Sequence, residues 1–245
     1  MVSGGGVVNK KIHKGENTMK KKIMAMCLVI AMAATAVIGG TLAYFTDSDA
    51  KTNTFTVGNV DIHIDEWMKN EKGEWVEYAD QKLFPIDNGK ITNNKLVETV
   101  NDGSEDAYIR TFVTCPKDMY DYLGLGFNSG ANSKVVTNED GTKMYNVTWK
   151  DVGTFNINNE ETAVFLCEVA DKCEVAKGDS VLSLTTVWLY KNVTNELIES
   201  WELEDGKFPV EVVSQAIQSE NLTYDEAMAE LGAIDQALMD KLFNN

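Results

Sequence analysis

The sequence predicts a mainly β protein, an antiparallel β-sandwich carrying short helices at its C-terminus, on three observations. Apolar residues alternate with polar ones in short runs, clusters of turn-forming residues separate those runs, and helical spacing begins only after Pro209. Val60, Ile62 and Ile64 alternate with Asp61, His63 and Asp65, as in a strand with one dry and one wet face. Phe55 and Val57 sit at odd positions whereas Val60 is even, so the inward parity changes across Gly58-Asn59 and a bulge or hinge is expected at Gly58. Further strands are expected over residues 95–100, 107–115, 144–149, 163–169 and 181–190. In the last of these Leu184 and Trp188 share a face, which places Trp188 in the core. Turn clusters such as Asn101-Asp102-Gly103-Ser104 and Asn138-Glu139-Asp140-Gly141 break the runs, a rhythm of sandwiches rather than of alternating strands and helices. The stretch 120–141, rich in glycine and acidic residues, reads as a long surface excursion folded over a sheet edge.

Residues 209–245 are expected to form a helical element after a sandwich over 44–208. Val210, Val213 and Ile217 recur at helical spacing behind Pro209, and Thr223 with Glu226 makes a capping box before Tyr224, Ala227, Met228 and Leu231. Gly232 ends that helix. Ile234, Leu238 and Leu242 give another apolar stripe, expected to pack on the sandwich.

The first 43 residues have a different character. Lys20-Lys21-Lys22 precedes an uncharged run from Ile23 to Ile38, and Thr41 and Ala43 put small residues before Tyr44. That is the layout of a secretory signal peptide over 19–43, with cleavage between Ala43 and Tyr44. A retained membrane anchor is the rival, but the 16 residues of the run span only ~24 Å as a helix, short of a ~30 Å hydrocarbon core. Residues 1–18 read as translated leader, with Met19 as the true start, since Lys14-Gly15-Glu16 back-translates to a purine-rich ribosome-binding sequence. The formal charge of the chain is −16, and the first 43 residues oppose six lysines to Glu16 alone, so the body is more acidic than the whole. Such a body repels nucleic acid and anionic lipid, leaving membrane contact to the precursor's signal.

The stretch Gly39-Gly40-Thr41-Leu42-Ala43-Tyr44-Phe45-Thr46-Asp47, followed by Asn53-Thr54-Phe55-Thr56-Val57-Gly58-Asn59-Val60-Asp61-Ile62, resembles the TasA/camelysin family of exported proteins processed by a dedicated SipW-type signal peptidase. Weaker similarity continues through Val100 to Arg110 and through Ser214-Gln215-Ala216-Ile217-Gln218. The resemblance implies a jelly-roll-like sandwich, secretion to the cell surface or biofilm matrix, and assembly into fibres, alone or with an accessory matrix protein. In such an assembly Tyr44, Phe45, Phe55 and Val57 are the expected anchors of strand addition between copies, with Gly58 as hinge. The same segment completing its own sheet is the competing expectation.

Some camelysin-like members are labelled metalloproteases. Hydrolytic zinc takes three protein ligands and an open water position, commonly from His-Glu-x-x-His on a helix, and no such motif is present. After cleavage His63 is the only histidine, no nucleophile elbow or phosphate-binding glycine loop occurs, and so no catalytic residue, metal or cofactor is expected. The carboxylates of 102–106 are at most a weak calcium site. Cys27 leaves with the signal, and Cys115, Cys167 and Cys173 remain, an odd number. They read as buried thiols, with a Cys167 to Cys173 bridge as the alternative. The expected function is therefore structural and non-enzymatic; a camelysin-like surface metalloprotease or an adhesin is the alternative.

Overall fold

The computed structural model describes residues 46–50, 60–70, 72–79, 83, 85–86, 95–129, 135–201, 203 and 208–244, with the backbone alone at 46–50 and 86. One sheet contains β1 (Thr46–Ala50), β6 (Ala107–Pro116), β10 (Val147–Ile157), β11 (Glu160–Val169) and β13 (Val212–Gln218), in the order β1-β13-β6-β11-β10 with every pairing antiparallel. The second contains β2 (Ile62–Lys69), β3 (Trp75–Glu77), β5 (Leu96–Asn101), β8 (Val136–Thr137), β9 (Lys143–Tyr145) and β12 (Ser180–Tyr190), in the order β3-β2-β5-β12-β9-β8. Two further strands, β4 (Pro85–Ile86) and β7 (Leu123–Phe127), also join β12. The sandwich expectation holds. Its strictly antiparallel form is corrected, because β12 pairs β4 and β9 in parallel.

The long β10–β11 hairpin closes on Asn158 and Asn159, with φ of 53° and 67°. Both central residues of a tight two-residue turn need that left-handed region, and asparagine enters it more readily than most side chains. Between the sheets, Ile109, Val113, Cys115, Phe165 and Cys167 from one side meet Ile62, Val97, Leu184 and Leu189 from the other. Hydroxyls also cross this interior: Ser214 bonds Thr99 of the facing sheet at 2.7 Å and Thr111 of its own at 2.8 Å. Each buried hydroxyl thus has a partner, which removes the cost of leaving it dry and unpaired.

The first sheet is covered on its other face by helices α2 (Tyr224–Glu230) and α3 (Gln236–Phe243), while α1 (Asn195–Ser200) follows β12. Phe112, Val164, Leu166 and Val213 pack with Leu238, Met239, Leu242 and Phe243, and Tyr108 and Ile217 pack with Ala227 and Leu231. Every residue of β6 is consequently buried. The expected capping box is present at Thr223 and Glu226, and Gly232 follows the helix at φ +92°. The helical expectation for Val213 and Ile217 is corrected: both belong to β13, between β1 and β6.

Two further corrections concern β12. Bulges between Leu182 and Thr186 shift its parity, so Leu184, Val187 and Leu189 enter the core while Trp188 turns to the other face and is only half-buried. The supposed surface excursion contributes β7, whose Gly124 lies opposite Trp188 and whose Gly126 lies opposite Thr186. A Cβ on Gly124 would stand 2.1 Å from Trp188 Cε2. Gly124→Ala is therefore expected to cost about 1–3 kcal/mol by forcing the indole off its seat. A denaturant midpoint equal to that of the parent chain would refute this packing.

Candidate functional site

His63 lies on the wetter face of β2, as its position in the alternation requires. The antiparallel register sets Ile62 opposite Asn101, so His63 reaches the turn that follows β5. That turn is built by Asn101, whose amide donates to the carbonyls of Glu105 and Val175 while its oxygen accepts from Gly103 N–H. The backbone N–H groups of Asp102 and Gly103 both donate to Asp61 O, folding the turn back onto the strand. The Asp102 carboxylate is thereby brought onto His63 Nδ1, and Asp65 Oδ2 lies 3.2 Å from Nε2. Burial pulls the imidazole pKa down, but the hydrogen bonds and charges of Asp102 and Asp65 outweigh it and raise the value above 6.5.

Both ring nitrogens of His63 are engaged by the carboxylates of Asp102 and Asp65, an arrangement that favours the protonated ring. Burial pushes the Cys115 and Cys167 thiols up to about 12, so neither supplies a thiolate. Among the described residues no group of three or more His, Cys, Asp or Glu is arranged to hold a metal ion. These donors do not fit a hydrolytic zinc. Cys115, Cys167 and the half-buried Cys173 are free thiols, so the alternative Cys167 to Cys173 bridge is not formed.

The other residues picked out for function, Thr41, Ala43, Tyr44, Phe45, Phe55, Val57 and Gly58, lie outside the described residues. What is described of this segment is the backbone of β1, which pairs residue by residue with the outer edge of β13, Thr46 opposite Ile217 through Ala50 opposite Val213. The chain divides between Tyr44 and Phe45, one residue beyond the expected cleavage point, into Met1–Tyr44 and Phe45–Asn245. No helix among the described residues is long and apolar enough to cross a membrane.

Residues 18–70 match the model of a family described as camelysin metallo-endopeptidase. Over that stretch the chain is similar to the camelysin proteins, which supports the TasA/camelysin resemblance. The camelysin match includes both stretches that carried the resemblance, 39–47 and 53–62, and extends through β2 with His63, while the weaker pieces near Arg110 and Ser214 lie outside it. Comparison with curated proteins and with solved structures gives no match. The expectation of a non-enzymatic protein is corrected by the camelysin match, since the family's description names a metallo-endopeptidase and a peptidase activity belongs among the functions to be tested.

Sequence reasoning missed Asp102 as the partner of His63, since 39 residues separate them. The signal available was the Asn101-Asp102-Gly103 turn itself. The pair makes a pH prediction. Because the folded pKa of His63 is raised, its contribution to stability is fully present below pH 6.5 and is lost as pH rises through the folded value. His63 is partly exposed, so His63→Ala should cost less than about 1 kcal/mol after screening. The loss should be largest on the acid side, which chemical denaturation of both chains at pH 5.5 and 8 will measure. An equal loss at both values would refute the ion pair.

Proposed function

We propose that the chain is an exported protein of the cell surface or biofilm matrix, cut before Tyr44 by a SipW-type signal peptidase, whose freed N-terminal segment joins copies into fibres by strand addition. The observation that carries this reading is the place of β1: a five-residue strand at the sheet edge, just after the expected cut, held to β13 by an antiparallel ladder. A terminal edge strand is the element that a second copy can replace without disturbing the core, because main-chain hydrogen bonds supply its affinity. Donor segment and acceptor edge are different surfaces, so such a contact propagates as an open filament rather than closing as a dimer. N-terminal sequencing of the extracellular form together with negative-stain imaging tests the proposal. Material beginning at Tyr44 and running as filaments is expected; soluble monomer that keeps residues 19–43 would overturn it.

The camelysin match favours a second reading, a surface metallo-endopeptidase. Casein cleavage by the purified chain that is abolished by a chelator and restored by zinc would establish it, and its metal ligands would then have to come from beyond the described residues.

A further inference from the structure

On the opposite side of the same sheet, the other edge strand, β10, borders a cleft of about 330 Å³. Trp149 pairs across the ladder with Cys167, which faces the core, so Trp149 too is directed toward the sandwich interior. It is nevertheless 46% exposed, because the sandwich opens at this edge. Phe127 stacks on it with ring centroids 4.7 Å apart, and Phe165 stands 5.6 Å from Phe127 and 6.0 Å from Trp149. Tyr120, 5.6 Å from Phe165, and Tyr190 complete the aromatic lining, to which Asp121 adds a carboxylate.

From this arrangement we infer that the cleft is a binding site for a quaternary ammonium group. Five aromatic residues, Tyr120, Phe127, Trp149, Phe165 and Tyr190, line one space, and a cation over an aromatic face is attracted where a neutral group of equal size is not. Charge complementarity points the same way: Asp121 lines the cleft, Asp151 lies close enough to act electrostatically on Tyr120, and the whole chain is acidic. The chain already shows the contact on a smaller scale, since the Lys117 ammonium sits 4.9 Å from the centroid of the Tyr120 ring. A quaternary ammonium suits the cleft better than a second lysine, whose compact and strongly hydrated charge loses more on entering an aromatic site.

The test is a titration of the full chain with choline and with its uncharged carbon isostere, dimethylbutanol, followed by ligand-observed NMR and tryptophan fluorescence. Choline is expected to saturate one site and to bind about ten-fold more tightly than the isostere. Trp149→Ala should abolish that site. Because Trp149 also stacks on Phe127, Asp121→Asn is the companion variant: it leaves the rings in place and should weaken choline several-fold without changing the isostere. Equal binding of choline and isostere, choline binding unchanged in both variants, or binding of neutral oligosaccharides in place of choline would each overturn the inference.

Discussion

Replacing Arg110 by alanine is expected to destabilise the protein by about 2–4 kcal/mol, because three charge-assisted hydrogen bonds vanish and two of their acceptors, on Gln215 and Leu231, stay buried. Arg110 is 3% exposed on the helix-covered face of β6. Its guanidinium donates to Gln215 Oε1 at 2.9 Å, to Leu231 O at 2.7 Å and to Gly232 O at 3.1 Å. The two carbonyls stand at the C-terminal end of α2, where unpaired carbonyl groups and the helix dipole both favour a cation. Desolvation lowers the Arg110 pKa to about 10, against the opposing influence of Glu168 and Tyr224, so the group keeps its charge at neutral pH. One side chain therefore joins β6, β13 and the end of α2. Arg110→Lys should recover only part of the loss, since an ammonium cannot present the planar fork that reaches all three acceptors. Urea denaturation of the parent, Arg110→Ala and Arg110→Lys chains measures this order; an alanine variant as stable as the parent would mean that the helices are held by their apolar contacts alone.

The same face explains which parts of the fold could be read from the sequence. Strands with one wet face, such as β2 with Ile62 and Ile64 against His63 and Asp65, show the period of two that marks them. β13 does not, because both its faces are buried: Val212, Ser214 and Ala216 look into the sandwich while Val213, Gln215 and Ile217 meet the helices or Arg110. A strand covered on both sides loses its alternation, and the remaining spacing of Val210, Val213 and Ile217 mimics a helix. β7 was hidden for another reason. Its glycines are there to admit Trp188 and Thr186, and that need is invisible until β12 is paired with it. Trp188 itself was misplaced by bulges that no periodicity announces. At the candidate site, the alternation places His63 on the wet face, but its carboxylate partner comes from a turn that only the β2–β5 register brings near.

Deleting residues 44–53 from the processed protein is expected to abolish fibre formation altogether while leaving a folded monomer, the largest functional effect foreseen. Among the described residues, the buried clusters between the sheets and under α2 and α3 are built from residues 60–243, and these are expected to hold the truncated chain folded. What the deletion removes is β1, and with it the backbone partners of β13 from Val213 to Ile217. The exposed edge then carries unpaired N–H and C=O groups, a template for any added strand. A synthetic peptide of residues 44–53 should therefore bind the truncated monomer stoichiometrically and raise its thermal midpoint, because a ligand that binds only the folded state stabilises it. It should not restore fibres, since a free peptide fills the acceptor edge without being attached to another sandwich. The intact processed chain, which carries donor and acceptor together, should polymerise and should be inhibited by excess peptide. Filaments of normal length from the deletion variant would sink strand addition as the joining mechanism, and fibres insensitive to the peptide would show that the copies meet through some surface other than the edge of β13.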